Sequence, residues 1–253
     1  MVVRIYLGRH VYGLAAIIFA IVTLIWRDFT TWQQNIPRAP MVVCLVVALE
    51  LFGGLAIQWP KGARAGAIAL GALYTVFALS WVPRIVREPL VYDRWGNFFE
   101  QLSIVSGAMM VYALATRDDS GRRAKITRMA YIFFGICVVS FMLEQLFYLS
   151  ATASFVPKWI PPGQRFWAIT TTIALALAAI ALLSGHTALL ASRLLTLMLI
   201  GFGLLVWLPT LFSDPHTLFN WAGNAQNWAI TGAAWIVADV LAQHKINSTA
   251  SNP

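Results

Sequence analysis

The sequence predicts an all-α, polytopic membrane protein whose eight transmembrane helices form two parallel four-helix repeats. Three observations lead there. Hydrophobic residues make up 59% of the chain and charged residues 11%, with a mean hydropathy of +0.71, whereas a soluble domain carries about a quarter charged residues. The apolar residues are gathered into long runs separated by short charged segments, which is the pattern a bilayer selects. The third observation is a duplicated piece of punctuation. Trp81-x-Pro83, Pro89 and Trp95 recur as Trp207-x-Pro209, Pro215 and Trp221, 126 residues later. Five residues after the last Trp comes Glu100 in one copy and Gln226 in the other.

The spans fall at 11–26, 41–59, 65–82, 96–115, 128–148, 166–184, 190–210 and 224–242, each close to the roughly 20 apolar residues that cross the hydrocarbon. Helix is the only reading, because lipid-exposed backbone must satisfy its hydrogen bonds within the segment. The first span is the shortest and can be extended back to 5–7. Arg27-Asp28 follows it with no small-residue cleavage pattern, so it does not read as a signal peptide. Span two carries Glu50 beside Gly53-Gly54. Spans three and seven end at Trp-x-Pro, where Pro83 and Pro209 are expected to stop the helix. A basic linker, 117–127, separates a first unit (1–116) from a second (128–253) that ends in a short polar tail.

The net charge of +8 reads as a topology signal, not a nucleic-acid surface, because the bases lie between spans. With the N-terminus in the cytoplasm, 11 Lys and Arg fall inside against 7 outside, most of the bias coming from the 116–128 loop. This predicts an inner-membrane protein with both termini cytoplasmic.

The halves align beyond the Trp and Pro residues. "GRHVYGLAAI" (8–17) lies against "TRMAYIFFGI" (127–136), matching Arg9 to Arg128 and Tyr12 to Tyr131. "NIPRAP" and "FVPKWIPP" follow the first span of each half. Four spans is an even number, so both halves insert the same way, giving a parallel repeat.

At "RDFTTWQQNIPRAP", "LELFGGLAI", the Trp-x-Pro loop and "FVPKWIPPGQRFWAITTTIALALAAIALL" the chain resembles the DoxX and DoxX-like membrane protein family, over nearly its full length as two units in tandem. The resemblance implies four-helix membrane units, some similar to subunits of thiosulfate:quinone oxidoreductase and others associated with oxidative-stress or membrane-assembly systems. Helix two of the first half has Glu50, whereas "TTTIALALAA" in the second half has no carboxylate.

An ionisable group inside a span is costly and marks a candidate site. Glu50 is the clearest case: it is either protonated or paired, and either a proton-accepting group or a structural hydrogen-bonding one. Glu100 and Glu144 lie near the outer membrane surface, level with Arg27, Asp28 and Trp32. Two readings stand for this set. One is an interfacial network holding loops. The other is an outward pocket of the first half walled by Trp32, Trp81 and Trp95, with carboxylates able to exchange protons. Trp221, Gln226 and Asn227 form its non-titrating counterpart. The tryptophans suit the headgroup level in either case.

Cys44 and Cys137 sit in different spans and read as inert core thiols, with no CxxC. The four histidines lie at membrane edges, in loops or after the last span, and give no haem pair or metal spacing. No phosphate loop, nucleophile elbow or dinucleotide fingerprint is present. No cofactor ligand is visible, and a quinone is the cofactor the resemblance allows. The functional expectation is a quinone- or lipophile-binding subunit beside a membrane redox partner. The alternatives are a non-catalytic assembly protein and, third, a small-solute transporter.

Overall fold

A computed structural model describes residues 7–29, 36–116 and 120–250, and among these the regular structure is helical throughout. The long helices are α1 (Leu7–Trp26), α2 (Pro40–Gln58), α3 (Ala63–Leu79), α5 (Tyr92–Ala115), α6 (Ser120–Phe147), α8 (Gln164–Ser184), α9 (Ala188–Phe202) and α11 (Leu218–Ala250). Short helices α4 (Val82–Arg87), α7 (Leu149–Phe155) and α10 (Leu208–Ser213) fill the loops at one end. That end carries Trp81, Trp95, Trp207 and Trp221 and is the tryptophan end; the basic linker lies at the other. Helix α6 begins at Ser120 and so takes in most of the linker.

Seven of the described helical runs are long and apolar enough to cross a membrane: Leu7–Trp26, Pro40–Gln58, Ala63–Arg87, Tyr92–Ala115, Gly121–Phe147, Gln164–Ser184 and Ala188–Ser213. The expected eighth, α11, is 33 residues long but too polar to stand among them. The reason is its place. It packs on α1, α5 and α9, and Ala222 to Ala225, Ala229 to Ala234 and Ile236 to Ala238 are buried without a break in each stretch. A helix enclosed by other helices meets little lipid, so Asn224, Gln226, Asn227 and Thr231 are allowed inside it.

The long helices pack in the order α1, α2, α3, α5, α6, α8, α9, α11 and back to α1, closing a ring, and α5 and α11 also meet across its middle. Small residues set the close contacts in the first half. A Cβ on Gly54 would lie 2.6 Å from the Gly13 carbonyl of α1, and one on Gly66 of α3 would lie 2.6 Å from the Gly53 carbonyl. The Gly53-Gly54 pair thus serves two neighbouring helices at once, the usual means by which membrane helices approach closely.

The expected stop at Pro83 and Pro209 takes another form. Each proline is the second residue of a new short helix, where its missing N–H has no intrahelical partner to lose. In the second half the run does not break at all: a π-helical turn, Gly203–Trp207, joins α9 directly to α10. Buried Asn227 donates from Nδ2 to the Leu199 carbonyl at 3.1 Å, just before that turn.

Candidate functional site

The repeated Pro and Trp residues are joined physically. Trp95 Nε1 donates to the Pro89 carbonyl at 3.1 Å and Trp221 Nε1 to the Pro215 carbonyl at 2.8 Å. In both, the Pro stands three residues before its helix begins and the Trp three after. The same spacing occurs a third time, where Trp167 Nε1 donates to the Pro161 carbonyl at 3.0 Å at the start of α8. The indole folds back over the first turn and ties the incoming loop to it. Trp95→Phe and Trp221→Phe are each expected to cost about 1 kcal/mol, one net hydrogen bond, read as a fall in the thermal midpoint of the detergent-solubilised protein. An unchanged midpoint in both would remove the staple's energetic role.

Beyond this staple the third turns of α5 and α11 bring polar groups together. Gln226 Nε2 donates to Glu100 Oε2 at 2.5 Å, and Gln101 Nε2 donates to Gln226 Oε1 at 3.1 Å. Glu100 and Gln226 occupy equivalent places in the two halves, 126 residues apart, and touch because α5 and α11 cross at the centre. Glu100 of the first-half set and Gln226 of its second-half counterpart are therefore in one cluster. Gln101 is 1% exposed, and its Oε1 finds no donor among the described residues.

Glu144, near the end of α6, comes from the third side. Its carboxyl lies against Gly96, where any Cβ would overlap it, and Gly96 precedes Glu100 by one helical turn on the same face of α5. Among the described residues it makes no side-chain hydrogen bond. Glu100, Glu144 and Asp93 lie within electrostatic reach of one another. No described Lys or Arg forms an ion pair with Glu100 or Glu144: Arg94 is engaged by Asp93 at 2.6 Å and Glu88 at 3.0 Å. Tyr92 donates to Ser140 at 3.1 Å, joining α5 to α6, and Tyr148 Oη, just after α6, accepts from the Asp93 N–H at 3.2 Å. No three His, Cys, Asp or Glu side chains among the described residues converge well enough to hold a metal ion.

The other expected site residues divide. Trp81 is 3% exposed, packed with Phe19, Ile85, Ala222 and Ala225, with Trp95 against the group. Its indole thus fills an aromatic plug at the tryptophan end, and its Nε1 has no partner among the described residues. Trp221 faces Trp26, ring centroids 6.1 Å apart. Arg27 follows α1 with a left-handed backbone, φ 51°, and Asp28 accepts from Arg38 at 3.1 Å in an exposed pair of the kind that adds little stability. Trp32 lies outside the described residues.

Glu50 is apart from this cluster. It is 0% exposed in α2, and its polar neighbour is the Tyr74 hydroxyl of α3. Neither the two carboxyl oxygens nor the Tyr74 hydroxyl closes a hydrogen bond of good geometry among the described residues. Tyr12, also in this layer, donates instead to the Ile104 carbonyl at 2.8 Å. Of the two thiols, Cys137 is buried and Cys44 is exposed on the outside of α2, so only Cys137 is a core thiol.

Three residues the sequence reading missed matter here. Gly96 precedes Glu100 at helical spacing and Gln101 directly follows it, signals the sequence does contain. Tyr74 reads as one more aromatic of an apolar span and gives no such signal. No family model, no curated protein and no solved structure matches the chain.

Proposed function

We propose that the chain is a DoxX-like quinone- or lipophile-binding subunit of a membrane redox system, crossing a bacterial inner membrane eight times as two parallel four-helix units with both termini cytoplasmic. Several features support the eight-span, two-repeat arrangement. Helices α4 and α10, and the starts of α5 and α11, keep the 126-residue spacing residue for residue. The contacts α1 with α11 and α5 with α6 are the exchanged counterparts of one another, with α5 against α11 between them. Helix α11 is the eighth span, shielded from lipid by its neighbours.

The observation that carries the functional reading is the Glu100–Glu144 pair: two carboxyl groups, neither in an ion pair with a described Lys or Arg, at the level of the tryptophan plug. Oxidation of a quinol releases protons and electrons. Glu100 and Glu144 are placed to accept the protons, with Gln226 orienting Glu100. The electrons pass to a partner subunit bearing a redox centre. Glu50, beside Tyr74, is a second proton-holding group deeper in the first half.

The test is gentle purification in detergent, an ultraviolet–visible spectrum, then solvent extraction and mass spectrometry. A stoichiometric quinone that disappears in Glu100→Gln and Glu144→Gln is the expected result. A clean apo-protein with bulk phospholipid alone would favour the assembly reading, in which the carboxyl cluster holds helices and a partner complex is the ligand.

A further inference from the structure

Away from Glu100, toward the linker end, an apolar groove of about 560 Å³ runs between α3 and α5. That is within the usual range for a small-ligand site, about 300–1,000 Å³. Its walls include Ala67, Gly71 and Ala72 of α3, Ala108 and Met109 of α5, and Ile126 at the start of α6. Missing side chains make the space. A Cβ built on Gly71 would meet only the Ala108 methyl, at 3.4 Å.

The second half shows what filling looks like. Helices α3 and α9 begin at the corresponding residues Ala63 and Ala188, so Gly71 and Ala72 correspond to Thr196 and Leu197, and Met109 to Trp235. Larger side chains stand at each of these positions.

A cation stands at the head of the groove. Arg64, one turn before Ile68, donates from Nη2 to the Tyr112 hydroxyl at 3.2 Å, and its guanidinium lies 5.2 Å from the centroid of that ring. Tyr112 is itself part of the wall. Arg64 is exposed and forms no ion pair with a described carboxylate. Exposed Lys61 precedes it in the loop, and exposed Lys125 adjoins Ile126. The counterpart of Arg64 in the second half is Leu189, so the cation is not repeated at that position.

An apolar groove between two helices of membrane-spanning length, with a guanidinium that has no described carboxylate partner at one end, fits a lipid with a hydrocarbon tail and a net negative head. We propose that this groove binds one acyl chain of an anionic phospholipid whose phosphate is held by Arg64. Its position, chemistry and test are independent of the quinone reading.

The experiment is native mass spectrometry of the full chain released from nanodiscs containing equal amounts of phosphatidylglycerol and phosphatidylcholine with the same acyl chains. The wild type is expected to retain one phosphatidylglycerol per chain with about tenfold preference, which corresponds to about 1.4 kcal/mol. Arg64→Gln removes the preference. Gly71→Leu, which fills the slot and leaves Arg64 in place, removes the retained lipid of both kinds. Circular dichroism identifies any variant that fails to fold. Equal retention of the two lipids by the wild type would overturn the proposal. So would an intact preference in Arg64→Gln or undiminished lipid on folded Gly71→Leu.

Discussion

Gly54→Leu is expected to abolish folded, monodisperse protein, whereas Gly201→Leu leaves it unchanged. At Gly54 the first added carbon already lies 2.6 Å from the Gly13 carbonyl and 2.8 Å from Ile17 Cγ1. The approach is mutual, since a Cβ on Gly13 would lie 2.8 Å from the Gly54 carbonyl. Backbone faces backbone, so no side-chain rotation relieves the overlap and α1 must part from α2. Overpacking costs about 1–3 kcal/mol where side chains can adjust, and more is expected where a helix must move. The loss also propagates, because α1 is the contact of both α2 and α11. At Gly201, by contrast, nothing lies within 4 Å of an added Cβ. Size-exclusion profiles after graded heating in detergent make the comparison. Matching profiles for Gly54→Leu and wild type would show that α1 and α2 do not pack through Gly13 and Gly54.

The same glycine illustrates what a sequence can and cannot disclose. Gly53-Gly54 is visible as a place for close approach, but whether a helix or a ligand approaches is a tertiary fact, and the structure assigns both residues to helices. Span positions were legible because hydrocarbon imposes a length and a composition on any helix that meets it. Helix α11 tests the limit of that logic. Its polar residues face other helices, so its composition reports the protein interior and not the bilayer.

The candidate site was half legible for a related reason. Glu100 and Glu144 announce themselves as carboxyls inside apolar runs. That Gln226 bonds Glu100 depends on α5 and α11 crossing at the centre, which no local pattern records. The Trp and Pro spacing, in turn, marked the duplication, yet its chemical reason appears only once each indole is seen bonded to its proline carbonyl. The third copy at Pro161 and Trp167 shows that this device belongs to helix starts and not to the repeat alone.

Gly96→Ala is expected to reduce quinone retention and any coupled proton uptake nearly as far as Glu144→Gln, which deletes the ionisable group outright. The effect follows from position. A methyl at residue 96 would occupy the place of the Glu144 carboxyl, but that carboxyl is the end of a flexible side chain and can swing aside. Ala is also a better helix former than Gly by about 1 kcal/mol, so the fold should survive. If Glu144 accepts a proton from the ligand, both variants should lower proton-coupled turnover by about a hundredfold or more, the usual contribution of a positioned acid or base. The pair separates chemistry from architecture. A carboxyl that only holds α6 to α5 would lose stability in both variants and leave retained ligand unaltered in whatever fraction stays folded. A proton acceptor would lose function in both with the thermal midpoint preserved. Loss in Glu144→Gln alone would mean that the group acts from more than one position, and the close fit against Gly96 would then have no part in the mechanism.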